Sequence, residues 1–158
     1  MKNDISAIGN ALVDTVFKVE HSLISELGLE IDQMTLSSAE EHAPIIERLI
    51  ASGADTVSDC GGSATNSLVA AASFGAKCFH ICKVSDDQDG VRYLQSLKEA
   101  GVDHQGNMTS ASNVPTGKCL ILVTPDAKRT MTTALNVSSL MDESDLDLDQ
   151  IANSKIFY

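Results

Sequence analysis

The sequence predicts an α/β sandwich around a largely parallel β-sheet, with a small separate β-layer beside it. An apolar run at residues 5–8 indicates a first strand, and a helix (63–74), a strand (77–84) and a second helix (90–100) alternate further on. This alternation is typical of parallel sheets, because two parallel neighbours need a long crossover, usually a helix, between them. A chain of 158 residues is long enough for one compact domain with a real core.

The predicted second layer comes from β-rich stretches that fit poorly into a parallel sheet. Residues 14–19 alternate polar and apolar side chains, as in a strand with at least one face exposed to solvent. Residues 118–124 and 129–135 are two β-rich runs, and the short link 125–128 between them predicts a hairpin. We expect these pieces to form a β-layer of their own, built from two excursions of the chain.

A further helix is expected between residues 37 and 53. Residues 37–41 (Ser-Ser-Ala-Glu-Glu) carry the signature of a helix start, with acidic side chains in the first turn. Proline removes a hydrogen bond inside a helix, so Pro44 predicts that the regular helix runs only from about residue 44 to Ile50 and ends at Gly53.

The last residues, 152–158, indicate the beginning of a hydrophobic strand. Domains seldom end partway into such a strand, because its edge and faces would be left exposed. We therefore expect the chain to continue beyond Tyr158 in the natural protein.

The composition of the chain limits the classes of partner that it is expected to bind and the cellular compartment that it suits. The formal net charge of −11 repels phosphate backbones and anionic lipid, so nucleic acid and membranes are poor partners. No run approaches the ~18 apolar residues of a membrane-spanning helix, and no signal-peptide pattern follows Met1. The four cysteines form no C-x-x-C pair, which favours reduced, buried thiols in a cytoplasmic protein over zinc ligands or disulfides.

Two short motifs carry candidate binding chemistry. Gly61-Gly62-Ser63-Ala64-Thr65-Asn66 opens a helix of small residues, where glycine lets the backbone approach a ligand and Asn66 adds an amide that donates and accepts. Gly9-Asn10-Ala11-Leu12-Val13-Asp14 follows the first strand, at the end of a sheet where α/β proteins bind ligands. A carboxylate there can accept hydrogen bonds from two adjacent sugar hydroxyls. Each motif alone is more often a plain turn.

The two motifs, taken in order, resemble the ribokinase family of pfkB-type carbohydrate kinases. The resemblance covers essentially the whole chain and is closest to adenosine kinase-like members, since no lysine follows Gly61-Gly62-Ser63. Further matching pieces are residues 66–75, residues 84–90 with Ser85 where the family usually has glycine, Pro115-Thr116-Gly117 and Arg129-Thr130. The resemblance implies a three-layer sandwich, of which residues 1–158 are the N-terminal part, with lid segments at about 14–36 and 114–136.

The resemblance also implies roles for individual residues. It implies that substrate hydroxyls are held by Asn10, Asp14, Gly61, Gly62 and Asn66, and that Leu12, Ser63 and Met131 line the pocket more loosely. Arg129 matches an arginine that can approach the transferred phosphate. The lid would close over the sugar and exclude water.

The catalytic residues of the family are not expected in this chain. The family's Gly-Ala-Gly-Asp anion hole, whose aspartate takes the proton of the attacking hydroxyl, has no counterpart in the sequence. ATP and Mg²⁺ are implied as cofactors, with neither site visible among these residues. The intact protein is therefore expected to phosphorylate a hydroxymethyl group of a sugar or nucleoside, while these residues alone are expected to be inactive.

Three other sequence motifs are incomplete or absent. Residues 85–90 resemble the start of a calcium loop, but Ser85 and Ser96 occupy two ligand positions, so the acids are interpreted as a helix N-terminus. His80 is interpreted as a satisfied core residue. The sequence has neither a P-loop nor a G-x-G-x-x-G motif.

The alternative function is a non-catalytic polyol- or nucleoside-binding or dimerisation module, and lid strands could pair in a homodimer.

Overall fold

A computed structural model describes residues 3–109 and 114–158, with side chains described at 3–106 and 114–158. The strands in these ranges are β1 (Asn3–Ile8), β2 (Leu12–Lys18), β3 (Met34–Leu36), β4 (Thr56–Gly61), β5 (Cys78–Ser85), β6 (Val102–Thr109), β7 (Gly117–Val123), β8 (Arg129–Ala134) and β9 (Ser154–Phe157). The helices are α1 (His21–Glu26), α2 (Ala39–Ala51), α3 (Ser63–Ser73), α4 (Gln88–Glu99) and α5 (Leu148–Ala152), with 3-10 turns at Asn136–Leu140 and Glu143–Asp145.

Four strands form a parallel sheet in the order β6-β5-β1-β9, as the alternation of elements predicted. Helices α3 and α4 cover one face with an apolar core, whose largest buried side chains include Leu68, Tyr93 and Leu97. The 3-10 turns and α5 lie on the other face, where Lys83 of β5 forms an ion pair of 2.7 Å with Asp145. The parallel sheet is thus the middle of three layers.

The other five strands form a mixed sheet in the order β3-β8-β7-β2-β4. Strands β7 and β8 are the predicted antiparallel hairpin, and β2 lies parallel to β7 and antiparallel to β4. Helices α1 and α2 cover one face of this mixed sheet through a second core. That core consists of Phe17, Val19, Leu23, Ile24, Leu49, Leu120 and Leu122.

The mixed sheet has more strands than the sequence pattern predicted, and the parallel sheet gains β6. Strands β3, β4 and β6 were not predicted because their sequences lack a clear apolar alternation. Each lies at the edge of its sheet, where it pairs with one neighbouring strand only and where many of its side chains are exposed to solvent. Such a strand does not need an apolar sequence. Pairing with the neighbouring strand, which the local sequence does not encode, makes them strands.

Helix α2 begins earlier than predicted. It starts at Ala39, because Ser38 and Glu41 form a complete capping box: the Ser38 hydroxyl accepts from the Glu41 amide (3.2 Å) and the Glu41 carboxylate accepts from the Ser38 amide (2.7 Å). Pro44 lies inside the helix rather than at its start. Its missing N–H leaves one exposed carbonyl near the helix start without a helical partner, a cost that the cap and the packing of Leu49 outweigh.

One carboxylate links the two sheets. Asp87 caps α4 by accepting from the Gly90 amide at 2.7 Å, and it also accepts from the amide (2.8 Å) and the hydroxyl (2.7 Å) of Thr116, just before β7. Burial alone would raise the pKa of the Asp87 carboxyl, but the hydrogen bonds from Thr116 and Gly90 outweigh it and the pKa is lowered. Asp87 as the cap and Asp89 in the first turn therefore serve the N-terminus of α4, as predicted for the acids of this segment.

Replacing Asp87 tests this link. We expect Asp87→Ala to lower the free energy of unfolding by roughly 3 kcal/mol, because it removes a helix cap and leaves the donors of Thr116 without their charged acceptor. Chemical denaturation measures the change. The exposed neighbour is the matched control: Asp86→Ala should stay within about 0.5 kcal/mol of the unchanged protein. Equal effects of the two substitutions would contradict the link.

Two histidines are buried and satisfied by hydrogen bonds. His80 is 0% exposed, with Nδ1 3.3 Å from the Ala7 carbonyl oxygen and Nε2 3.1 Å from the Thr65 hydroxyl, which confirms its interpretation as a core residue. His42 of α2 lies 3.1 Å from the hydroxyl of Thr132 behind the mixed sheet. Burial lowers the pKa of His42, and it lowers the pKa of His80 from 6.5 to about 4.

The lowered pKa of His80 makes stability depend on pH. The unfolded chain takes up a proton on His80 below about pH 6.5, whereas the folded chain does not until about pH 4, so stability is full above the first value and falls between the two. We expect a loss on the order of 3 kcal/mol from this residue. Urea unfolding at a series of pH values should show that the free energy of unfolding depends less on pH in His80→Gln than in the unchanged protein. An unchanged pH dependence in His80→Gln would contradict the assignment.

Candidate functional site

The structure brings the two predicted motifs into contact through Asp14 and Gly61. Leu12 of β2 is paired with Gly61 of β4, which places Asp14 on the diagonal from Gly61. A β-carbon on Gly61 would overlap the carboxyl carbon and both carboxylate oxygens of Asp14. A side chain at this position would push the Asp14 carboxylate aside, so glycine is what lets the carboxylate lie directly against the α-carbon of residue 61.

The second glycine packs against the first motif as well. A β-carbon on Gly62 would overlap the carbonyl oxygen of Asn10, and Gly62 has a φ of 103°, which L side chains rarely adopt. Gly62 is also the residue that precedes α3, so the turn ends at a helix N-terminus with free backbone N–H groups. Both glycines are therefore required by close approach of the chain at residues 10–14.

Several predicted residues lie on one face of the mixed sheet. In register, Asp14 faces Cys119 on β7, and Cys119 faces Thr133 on β8. Because alternate residues of a strand share a face, Met131 and Arg129 lie on that same face, further along β8. The face that carries Asp14, Met131 and Arg129 is opposite to the face that α1 and α2 cover. Met131 is half-buried, and Arg129 is exposed and forms no ion pair within the part of the chain that the structure describes.

The electrostatics of Asp14 follow from this position. Burial raises the pKa of the Asp14 carboxyl, the positive charge of Arg129 acts in the opposite direction, and the negative charge of Asp59 adds to the rise. The Asp14 carboxylate accepts no hydrogen bond from the other described residues. A half-buried carboxylate with its acceptor oxygens unused is suited to hydroxyl donors of a ligand.

The remaining predicted residues surround this point. Asn10 and Asn66 are exposed, and their side-chain amides form no hydrogen bond to described residues. Ser63 is the first residue of α3 and is exposed, whereas Leu12 is half-buried and its side chain lies beside Gly117. The structure thus brings Asn10, Asp14, Gly61 and Gly62 into one cluster, with Ser63 and Asn66 on the helix turn that follows.

Two residues of this region were not predicted. Asp59 is paired with Asp14 across β2 and β4, and a β-carbon on Gly117 would overlap the chain at Ala11 and Leu135. Asp59 could not be found from the sequence because the pairing of β4 was not recognised. Gly117 carried a signal, since it stands in the Pro115-Thr116-Gly117 motif at the point where the chain enters the mixed sheet.

The cavities give a mixed result. A cavity of about 440 Å³ lies beyond the carboxyl end of β1 and includes Asn10, together with Ser138 of the neighbouring 3-10 turn and Met141 directly after it. Two larger cavities, of about 660 and 790 Å³, are lined by none of the predicted site residues. The predicted residues therefore meet at the contact of Asp14 with Gly61 and at the cavity beside Asn10.

Metal-binding clusters and membrane-spanning helices are both absent from the described residues. Within the described ranges, no group of three or more His, Cys, Asp or Glu side chains is arranged to hold a metal ion. None of the helices in these ranges has the length and apolar character needed to cross a bilayer.

Curated relatives and solved structures agree with this architecture. A ribokinase from Dictyostelium discoideum is 31% identical over 106 residues, which is 66% of this chain and 33% of the relative. An adenosine kinase from Sinorhizobium meliloti superposes with a TM-score of 0.91 and 31% identity over 100% of this chain and 47% of that one. A probable sugar kinase from Rhizobium etli CFN 42 gives a TM-score of 0.90 at 26% identity, over 99% of this chain and 46% of that one.

These matches establish the fold and its extent. The chain has the ribokinase-like α/β fold, and it spans about half the length of the solved structures and about a third of the curated relative described above. The sequence profile described as "pfkB family carbohydrate kinase" matches residues 30–158, which is most of the chain. The chain therefore belongs to the pfkB family of carbohydrate kinases.

Proposed function

We propose that the intact protein is an ATP-dependent kinase that phosphorylates the hydroxymethyl group of a sugar or nucleoside, and that these residues form its substrate-binding part. The observation that carries the proposal is the Asp14 carboxylate, packed against the α-carbon of Gly61 with its oxygens unused by the described residues. Membership of a carbohydrate kinase family and relatives named ribokinase and adenosine kinase support it.

Each site residue has a proposed role. Asp14 accepts hydrogen bonds from two adjacent hydroxyls, and the exposed amides of Asn10 and Asn66 can donate and accept beside it. Gly61 and Gly62 let residues 10–14 pack closely against the start of α3, and their backbone groups are proposed to hold substrate hydroxyls beside Asp14. Leu12, Ser63 and Met131 line the pocket, and Arg129 at the rim of the mixed sheet contacts the transferred phosphate.

The mixed sheet is proposed to be a lid. The segments at about 14–36 and 114–136 contribute β2, β3, β7 and β8, and β4 extends the same sheet at its other edge. The uncovered face carries Asp14, so a substrate bound there would lie between this face and the end of the parallel sheet. Closure of the sheet would then exclude water from the reacting hydroxyl.

ATP and Mg²⁺ are the proposed cofactors, and residues outside this chain would hold them. The described ranges contain no acidic cluster that fits a metal ion, and the sequence contains no P-loop. The residues present fit a polyol rather than a nucleoside triphosphate. ATP would supply the phosphoryl group, whereas the present residues bind and orient the alcohol.

A non-catalytic binding or dimerisation module is a second candidate, and one observation favours it. Met34, Leu36 and Val57 on the uncovered face of the mixed sheet are 54%, 62% and 71% exposed. Met34 and Leu36 lie on β3 and Val57 on β4, the two opposite edges of the sheet, and exposed apolar side chains at a sheet edge favour contact with another copy of the chain. Pairing of two such sheets would give a homodimer. The cytoplasmic location and the lack of nucleic-acid and membrane partners stay predictions.

Replacing Asp14 tests the proposed function. With the natural gene product that carries these residues, we measure ATP-dependent release of ADP against adenosine and a panel of sugars. We expect one compound to be turned over, and Asp14→Asn to lower kcat/KM for it by about 100-fold, because the charged acceptor of two hydrogen bonds is lost. The matched control Asp86→Asn, an exposed acid outside the site, should keep full activity.

The outcomes separate the two candidates. No turnover of any compound, together with calorimetric binding of one of them that Asp14→Asn abolishes, would contradict the kinase and leave the binding module. Turnover that Asp14→Asn leaves unchanged would contradict the assigned site. Sedimentation of Val57→Asp against the unchanged protein would show whether the apolar face holds a dimer.

A further inference from the structure

A chain of buried hydrogen bonds runs beneath the glycine turn. From the parallel sheet, it passes from the Ala7 carbonyl to His80, then to the Thr65 hydroxyl on the first turn of α3, and then to the Tyr93 hydroxyl on α4. The Tyr93 oxygen lies 2.5 Å from the Thr65 oxygen and 3.5 Å from the carbonyl oxygen of Gly61. Thr65 and His80 are 0% exposed and Tyr93 is 1% exposed.

The direction of the protons follows from the carbonyl at one end. The Ala7 carbonyl can only accept, so Nδ1 of His80 carries the proton and Nε2 of the neutral ring is an acceptor. Thr65 must then donate its single proton to Nε2. Tyr93 is left to donate, and its proton is shared between the Thr65 oxygen and the Gly61 carbonyl oxygen. Every hydroxyl proton in the chain is therefore used.

The turn above this chain has little conformational preference of its own. Two successive glycines allow many backbone conformations, and Gly62 adopts one with positive φ. The Thr65 hydroxyl lies about where a side chain of Gly62 would make an ordinary contact, at 3.5 Å from its ideal β-carbon position. Local propensity therefore does not decide where the backbone of Gly61 and Gly62 lies. The contacts from below do so together with the pairing of Gly61 to Leu12 and the packing of Gly62 on the Asn10 carbonyl.

We propose that Tyr93, Thr65 and His80 are positioning residues, which hold the Gly61-Gly62 turn and the start of α3 in the geometry that binds the alcohol substrate. The inference rests on the proposed function of the turn. It explains why a buried tyrosine from α4 has its polar atom below the turn rather than at the surface. A misplacement of about 1 Å at such a point can cost a large part of the rate of a positioned reaction.

Three variants separate the positioning role of the hydrogen-bond chain from a general effect on protein stability. Tyr93→Phe removes only one hydroxyl, Thr65→Val leaves His80 without its donor, and Thr65→Ser restores the hydroxyl. The matched control is Thr132→Val, since Thr132 is equally buried and lies at the same 3.1 Å from Nε2 of His42, behind the mixed sheet. The control should lose a similar amount of stability without disturbing the glycine turn.

The first readout is kinetic, in the natural gene product with the alcohol it turns over. We expect Thr65→Val and Tyr93→Phe to raise KM for the alcohol by about tenfold, the scale of one neutral hydrogen bond, with KM for ATP unchanged. Thr65→Ser should recover most of the loss, and Thr132→Val should leave both KM values unchanged. An unchanged KM for the alcohol in both variants would overturn the inference while leaving the proposed function intact.

The second readout does not need activity. Hydrogen exchange of a peptide covering residues 61–66 should be about tenfold faster in Tyr93→Phe and Thr65→Val than in Thr132→Val, because the turn opens more often when its support is lost. If the unchanged protein turns over no compound, the proposed function fails and this exchange result still decides the positioning role. Exchange at residues 61–66 that does not differ from the control would overturn it. Tyr93→Phe decides alone if Thr65→Val fails to fold.

Discussion

The close packing of the Asp14 carboxylate against the α-carbon of Gly61 is the contact on which the site depends. It lies where Leu12 of β2 pairs with Gly61 of β4, and the carboxylate occupies the space that a side chain at residue 61 would fill. It also joins two motifs that are almost fifty residues apart in the sequence. A carboxylate placed in this way is half-buried and yet has free acceptor oxygens, which is the combination that a polyol site requires.

Polar groups in and beside the parallel sheet lie below this contact and to its side. Asp87 binds Thr116 at the entrance of β7, and the chain from His80 to Tyr93 lies beneath the glycine turn. Each is satisfied within the fold, which makes it costly to disturb. The parallel sheet therefore acts as the rigid support of the site, while the mixed sheet supplies the face that carries Asp14, Met131 and Arg129.

Much of the fold could be predicted, because it rests on local periodicity. The alternation of α3, β5 and α4 and the hairpin of β7 and β8 were visible in the sequence, and the glycines after α3 and α4 marked their ends. The start of α2 was misplaced because the effect of Pro44 was overestimated against the capping box of Ser38 and Glu41. Strands β4 and β6 escaped prediction because edge strands need only one neighbour and can be polar.

The sequence by itself determined which residues of the candidate site are special. The glycine pair, the carboxylate of Asp14 and the amides of Asn10 and Asn66 stood out because their chemistry suits a hydroxyl-rich ligand. Only the tertiary structure decided why Gly61 must be glycine, which acid lies opposite Asp14, and what supports the turn from below. Those facts depend on strand pairing and on contacts between residues far apart in the chain, such as Thr65 and Tyr93, and local sequence patterns carry no record of such contacts.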